Sequence, residues 1–544
     1  MNRPLQKQSP ASKKTLVILA GIVLLGIVLR LAQYIHNREL WLDEAYLSVE
    51  LLTKTYCGIT GELRFNMVFP VGYLFVEKFA ASLLGTSEYA LRLPSLVCGL
   101  LALPAFAGLC LAAGKAPSRN TNQPCETQTA HWIAIAVAML FFATSKHLVY
   151  YTSEVRQYIL DVLAVCVVYW IVIPEVFARQ TDYQGQCRRF FVASCFGAVA
   201  TWIVLAPIFV WAAIGTVYLV QDIAACAWRR LPRTILAGAV WTLSFAVHMV
   251  WLQHIMTLGD RTADIRYRIV SLSPPIPPQS TTDLQHLWDS FKHFFEFPGG
   301  FTEWGLPFFV LAAGCVVMWR RSRALSALLI LPVPYALFAS AIHRYPFRNQ
   351  YILFLMPAVF LLMAYGIAHF LRNAERGERY LGALLLVLMM LHPAIEGLRV
   401  LEHYRTGPGG DCVLRPLVKH LRTNWRQGDL LLVEGTPRPF FEYAGPVAGF
   451  DRRLPPTGIE KQFDCDPETA HAYVYQPDAG GDNPRRFTRL AEPSEPVPPS
   501  DRIWLIASPG KPPGGMKPDN GRPPPEVSLT TQTAQLRLFE LAKD

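Results

Sequence analysis

The chain is 544 residues long, with 52% apolar residues, 17% charged residues and a formal net charge of +10. Its apolar residues stand in blocks rather than in amphipathic stripes, which is the composition of a polytopic membrane protein and not of a soluble globular enzyme. The basic excess sits in short loops, and no stretch pairs basic residues with interleaved aromatics, so the charge reports topology and excludes nucleic acid as a partner.

Lys7, Lys13 and Lys14 precede the first apolar run, 15–35. That run is too long for a signal-peptide h-region and no small-x-small site follows it, so it reads as a retained first span. At about twenty residues per crossing, the apolar blocks predict about eleven transmembrane helices. They are 15–35, 87–111, 132–145, 158–177, 190–207, 208–227, 234–256, 304–319, 324–342, 350–371 and 380–400. With a cytoplasmic N-terminus, the inward connections are 115–119, 179–189, 229–233, 320–323 and 372–379. Each carries a basic cluster, as the positive-inside rule requires.

The outward connections are then 37–86, 146–157, 257–303, 343–349 and the whole chain beyond 401. Within the first, 40–54 and 71–84 have helical spacing of apolar residues and predict helices lying on the membrane surface. In the third, Pro274-Pro275-Ile276-Pro277-Pro278 predicts an extended segment, followed by the aromatic amphipathic run 284–297. The chain therefore divides into a transmembrane part, 1–400, and a soluble extracytoplasmic α/β domain, 401–544. In the latter, 414–426 reads as helix, 429–434, 503–507 and 535–540 as strands, and 476–499 as loop or partial disorder. Cys412 and Cys465 could pair there or remain buried free thiols. The other cysteines lie mostly inside apolar blocks without a C-x-x-C pair, so no metal and no cofactor is expected.

Asp43 and Glu44 follow directly on the first span. Carboxylates at that depth are costly unless solvated, paired or used, which marks them as candidate catalytic residues, whereas Glu39 is an ordinary interfacial carboxylate. Glu88 and Arg92 share a helix face four residues apart, with Ser87 placed to cap that helix. Glu154, Arg156 and Asp161 flank the start of the fourth span, where Asp161 calls for a partner, Arg92 or Arg156 by depth. All are supporting candidates, and such pairs are commonly structural clasps. Arg344 and Arg348 lie in the short outward loop 343–349, and Arg261, Arg266, Arg268 and Lys292 in the long one. Outward basic residues run against the positive-inside trend, and an anionic lipid-linked ligand or anionic headgroups explain them. Arg344, Arg348, Arg92 and Arg266 are the candidate phosphate-binding set.

Trp41-Leu42-Asp43-Glu44, Phe69-Pro70-Val71-Gly72-Tyr73, the run from Leu84 through Arg92-Leu93-Pro94-Ser95, and Glu154-Val155-Arg156-Gln157-Tyr158 together resemble one family. It is the protein O-mannosyltransferase and aminoarabinose transferase group of GT-C membrane glycosyltransferases. The resemblance implies a GT-C-like fold in the bacterial inner membrane, serving the cell envelope. It also implies inverting transfer of a sugar from a polyprenyl-phosphate donor to a glycan, lipid or protein acceptor on the outer face. By that resemblance Asp43 takes the position of the catalytic acidic residue and Glu44 that of its neighbour in the motif. The residues suit that chemistry: a membrane-edge Asp can take the acceptor's proton, and arginines can neutralise the departing phosphate. The competing reading is a flippase for lipid-linked sugars that makes no covalent change.

Overall fold

The computed structural model describes residues 12–63, 67–85, 87–116, 124–178, 194–258, 269–273, 275–372 and 376–403. Beyond them it describes 415–424, 430–433, 452–453, 471–474, 502–507, 526–530 and 535–540. Cys412, Cys465 and the run 476–499 lie outside these residues. So do Arg261, Arg266 and Arg268.

The helices are α1 (Lys13–Ile35), α2 (Leu42–Thr53), α3 (Val71–Leu84), α4 (Glu88–Gly114), α5 (Pro124–Thr144), α6 (Lys146–Tyr150), α7 (Tyr158–Ala178) and α8 (Ser194–Ile203). They continue with α9 (Ile208–Ala224), α10 (Leu231–Leu258), α11 (Thr281–Glu296), α12 (Gly305–Arg321), α13 (Arg323–Ile330), α14 (Pro332–Ala341), α15 (Met356–Arg372), α16 (Arg376–His403) and α17 (Arg415–Asn424). Helix lies within each of the apolar blocks. Among the described residues, however, six helices are long and apolar enough to cross a membrane, or up to seven if the bent pair α5 and α6 counts as one. The predicted number is larger because some blocks, α8 and α9 among them, form apolar helices too short to count as crossings. Pro207, which has no N–H to donate, stands at the N-cap of α9 and separates it from the short α8.

The amphipathic segments of the first long loop form α2 and α3, and the aromatic run of 257–303 forms α11. Ser280 caps α11 by accepting from the Asp283 amide at 3.1 Å, and the Asp283 carboxylate takes the Ser280 amide at 3.0 Å. Those bonds hold the Asp283 carboxyl below the usual range, led by the amide of Gln279. Ser87 caps α4 as its position predicts, accepting from the Ala90 amide at 3.2 Å.

The chain packs into two compact units. The first comprises Met1–Ile35, Val68–Val76 and Arg92–Glu402, and the second His36–Met67, Glu77–Leu91 and His403–Asp544. In the first unit α15 is buried along almost its whole length against α5 and α12, while α1 and α10 leave leucines and valines such as Leu24, Val28, Leu243 and Val250 exposed. Apolar side chains facing outward from a helix that satisfies its own backbone are what lipid contact requires. The α12–α15 crossing rests on two glycines that let backbones meet. A Cβ at Gly366 lies 2.5 Å from the Val310 carbonyl oxygen, and one at Gly314 would overlap the Leu362 carbonyl. Gly314→Ala is accordingly expected to cost about 1–3 kcal/mol, because the obstruction is backbone and cannot rotate away. The measurement is thermal unfolding in detergent, and an unchanged midpoint removes this account.

In the second unit, β1 (Leu430–Val433), β2 (Arg452–Arg453), β3 (His471–Val474), β4 (Arg502–Ala507), β5 (Glu526–Thr530) and β6 (Gln535–Glu540) form a sheet of order β2-β3-β1-β4-β6-β5. Among the described residues only β1 and β4 run parallel, with Leu431 opposite Trp504. Leu431 and Trp504 are buried, as are Leu417, Val418 and Leu421 of α17, whose His420 meets Trp504 at 6.3 Å between ring centroids. The predicted strands are β1, β4 and β6. The others, the edge strands β2 and β5 and the four-residue β3 beside β2, are short or alternate polar residues, and carry little apolar signal.

Candidate active site

Residues 41–44 place two adjacent acids in the first turn of α2, where negative charge is favoured at a helix N-terminus. Trp41 is the extended N-cap residue. Glu44 reaches back to the Trp41 amide at 3.3 Å and to the Arg38 guanidinium at 2.7 Å, and both charged side chains are fully buried. Its carboxylate is thus occupied in closing the entry to the helix. Asp43, one residue earlier, is half-buried and points its backbone into the same turn. Two further buried carboxylates lie in this unit, Glu50 and Glu77, which sequence reasoning passed over because each sits inside an apolar helical stretch. Glu50 pairs with Lys54 at 2.9 Å, and Lys54 also donates to the Glu62 carbonyl. Glu88 belongs to this unit too and is half-buried.

The other candidates belong to the first unit. Between α5 and α6 the chain bends by 53° at Ser145. A break exposes the last carbonyls of α5, and Arg30 of α1 satisfies them: its Nη1 donates to Ala143 at 3.2 Å and to Gly26 of its own helix at 3.0 Å, and its Nη2 donates to Phe142 at 3.2 Å. Nothing in the run 15–35 singled out Arg30. The only available sign was a charge within an apolar span.

The bend leads through α6 and a 3-10 turn, Tyr151–Ser153, into Glu154 and Arg156, both buried. Ser95 of α4 fixes this stretch by donating to the Glu154 carbonyl at 2.6 Å and also facing that of Arg156 at 3.4 Å. Gly99, one turn on, gives Thr152 room that a Cβ would fill. The Arg156 guanidinium lies over the Phe69 ring, 5.0 Å from its centroid, and Arg92 is buried at 1% exposure. Asp161 is buried in the first turn of α7, and its carboxylate accepts from the Ala206 amide in the break between α8 and α9. Depth had suggested Arg92 or Arg156 for this contact. The broken backbone supplies a donor instead, because residues outside a helix at this level leave their amides to be satisfied by side chains.

Arg344 is exposed and Arg348 half-buried in the loop 343–349. Inward aromatics hold the loop. Tyr345 donates to the Tyr351 carbonyl at 2.5 Å and packs edge-on to Phe209 at 4.9 Å, while Phe347 stacks on Phe294 of α11 at 6.2 Å. Burial, and after it the Asp161 carboxylate, pushes the Tyr345 phenol well above its ordinary range. Tyr158 meets Tyr351 at 5.9 Å. The structure therefore brings Glu154, Arg156 and Asp161 beside the segment that carries Arg344 and Arg348. Lys292 is engaged with Asp289 at 2.8 Å. No group of three or more His, Cys, Asp or Glu side chains that could hold a metal occurs among the described residues.

No family model matches the sequence, and no curated protein matches it. Solved structures do. The chain is similar to ArnT from Cupriavidus metallidurans in the apo state, at 12% identity and a TM-score of 0.52, over 95% of this chain and 98% of that one. It is similar to the same protein bound to undecaprenyl phosphate at 14% identity and a TM-score of 0.52, over 97% and 98%. The archaeal oligosaccharyltransferase AglB from Archaeoglobus fulgidus aligns at 12% identity and a TM-score of 0.45, over 76% of this chain and 58% of its own length. ArnT is a GT-C membrane glycosyltransferase, and this chain shares its fold.

Proposed function

From the GT-C fold we propose that this protein is an inverting glycosyltransferase of the bacterial inner membrane, taking its sugar from a polyprenyl-phosphate donor. Its acceptor is a glycan, lipid or protein on the outer face. The observation that carries this reading is end-to-end likeness to an ArnT structure holding undecaprenyl phosphate, in a chain that sets Asp43 in a helix's first turn. About eleven spans, a cytoplasmic N-terminus and an outward soluble α/β domain from 401 onward complete the proposal, supported by the basic inward loops.

In the reaction, Asp43 accepts the proton of an acceptor hydroxyl or amine as its oxygen or nitrogen bonds to the anomeric carbon. The bond from that carbon to the phosphate oxygen breaks, and its electron pair leaves with the polyprenyl phosphate. Arg344 and Arg348 neutralise the phosphate, a task suited to planar guanidinium groups. Arg92 and Arg266 complete the phosphate-binding set. Glu44 supports Asp43 through the α2 entry, and Glu88, Glu154, Arg156 and Asp161 support the surrounding frame.

Arg344→Ala and Arg348→Ala are expected to weaken undecaprenyl phosphate binding by roughly tenfold each, the loss of a charge-assisted contact. Unchanged affinity in both moves the phosphate site elsewhere. A flippase would move intact lipid-linked sugar between leaflets without a new glycosidic bond. Mass spectrometry of products from the protein in liposomes separates the two.

A further inference from the structure

The loop that carries Arg348 is tied to α11 by a contact that the reaction itself does not require. Asn349 lies in the left-handed backbone region, at φ 54°, where Asn is among the few side-chain-bearing residues readily tolerated. Its Oδ1 stands 2.6 Å from Nε2 of His293. The imidazole is oriented from its other side as well: Nδ1 lies 3.7 Å from the Glu296 carboxylate, and the ring stacks on Phe297 at 6.0 Å and 10°. Phe297 in turn meets His147 of α6 at 3.9 Å. Asp289, one turn before His293 on α11, is close enough to Arg348 to feel its charge. Arg348 itself is extended, at φ −156° and ψ 154°, and immediately precedes this anchored residue.

Resting on the donor-site reading above, we infer that His293 and Asn349 are positioning residues that hold Arg348 for the phosphate of the lipid donor. Nε2–H donates to the Asn349 amide oxygen, and the left-handed turn at Asn349 then fixes the direction in which residue 348 leaves the 3-10 segment. The guanidinium is set before the ligand arrives, which spares the ordering of a long flexible side chain on binding.

The test uses the full-length protein in nanodiscs, with undecaprenyl phosphate as the binding probe and a polyprenyl-phosphate sugar for turnover. Asn349→Gly keeps the left-handed backbone and deletes the amide, His293→Phe keeps the stack on Phe297 and deletes the N–H, and His293→Gln restores a donor. The first two are expected to weaken probe binding and raise the donor KM roughly fivefold to tenfold, with kcat falling far less, as loss of a single polar contact implies. Combining them should cost no more than either alone, because both break one contact, and His293→Gln should recover part of the loss. Additive losses overturn the inference, as do unchanged donor KM or a fall in kcat that tracks a lower unfolding temperature. Arg348→Ala separates this inference from the reading it rests on. If that variant binds the probe normally, Arg348 has no part in the donor site and this inference falls with it, while the donor-site reading itself fails only if Arg344→Ala also binds normally. If it binds weakly while Asn349→Gly and His293→Phe bind normally, only the positioning role fails.

Discussion

Asp43→Asn, assayed in liposomes with a polyprenyl-phosphate sugar, is expected to lower transfer by about 10²–10⁴-fold, the usual contribution of a positioned general base. The substitution removes a proton acceptor while keeping size and polarity, and Asn is tolerated in a first helical turn, so unfolding temperature and donor binding should stay near those of the parent. Glu44→Gln provides the contrast. Glu44 is buried against Arg38 at 2.7 Å and the Trp41 amide at 3.3 Å, so losing its charge breaks a buried ion pair and should appear first as lost stability. Near-normal turnover by Asp43→Asn would remove the catalytic assignment.

Arg30→Leu is the second large effect. Two hydrogen bonds from one guanidinium close the end of α5 and tie it to α1 at the bend that precedes Glu154 and Arg156, and a third returns to Gly26 of α1 itself. Interhelical bonds inside membrane proteins are each on the order of 1 kcal/mol, so about 2 kcal/mol is at stake in the two that cross to α5. Leu fits the apolar surroundings but leaves the Phe142 and Ala143 carbonyls unsatisfied. The expected result is a marked fall in unfolding temperature in detergent, together with loss of transfer, and Arg30→Lys should recover part of the stability. Unfolding at the parent temperature would show that the bend is held by packing alone.

The surface helices α2, α3 and α11 were legible because their apolar residues recur at helical spacing between polar turns, and Ser87 and Ser280 precede their helices as caps. The basic loops were legible because charge is excluded from hydrocarbon. The roles of Asp43 and Glu44 were not separable in the sequence, where they are simply neighbours. Only the backbone turn at Trp41 directs Glu44 back to Arg38. The partner of Asp161 was not readable either, since an unpaired amide at Ala206 exists only once α8 and α9 are broken apart. Arg30, Glu50 and Glu77 were hidden for a related reason, as hydropathy records a charge as an interruption and not what it meets.

The sequence by itself determined the membrane class, the position of each apolar block and the adjacency of two acids behind the first span, because these follow from transfer free energies and local periodicity. The tertiary structure decided which helices are broken, which carboxylate closes the α2 entry, and how Glu154, Arg156 and Asp161 come beside the Arg344–Arg348 loop. Those outcomes depend on backbone groups far apart in the chain finding partners where water cannot serve them.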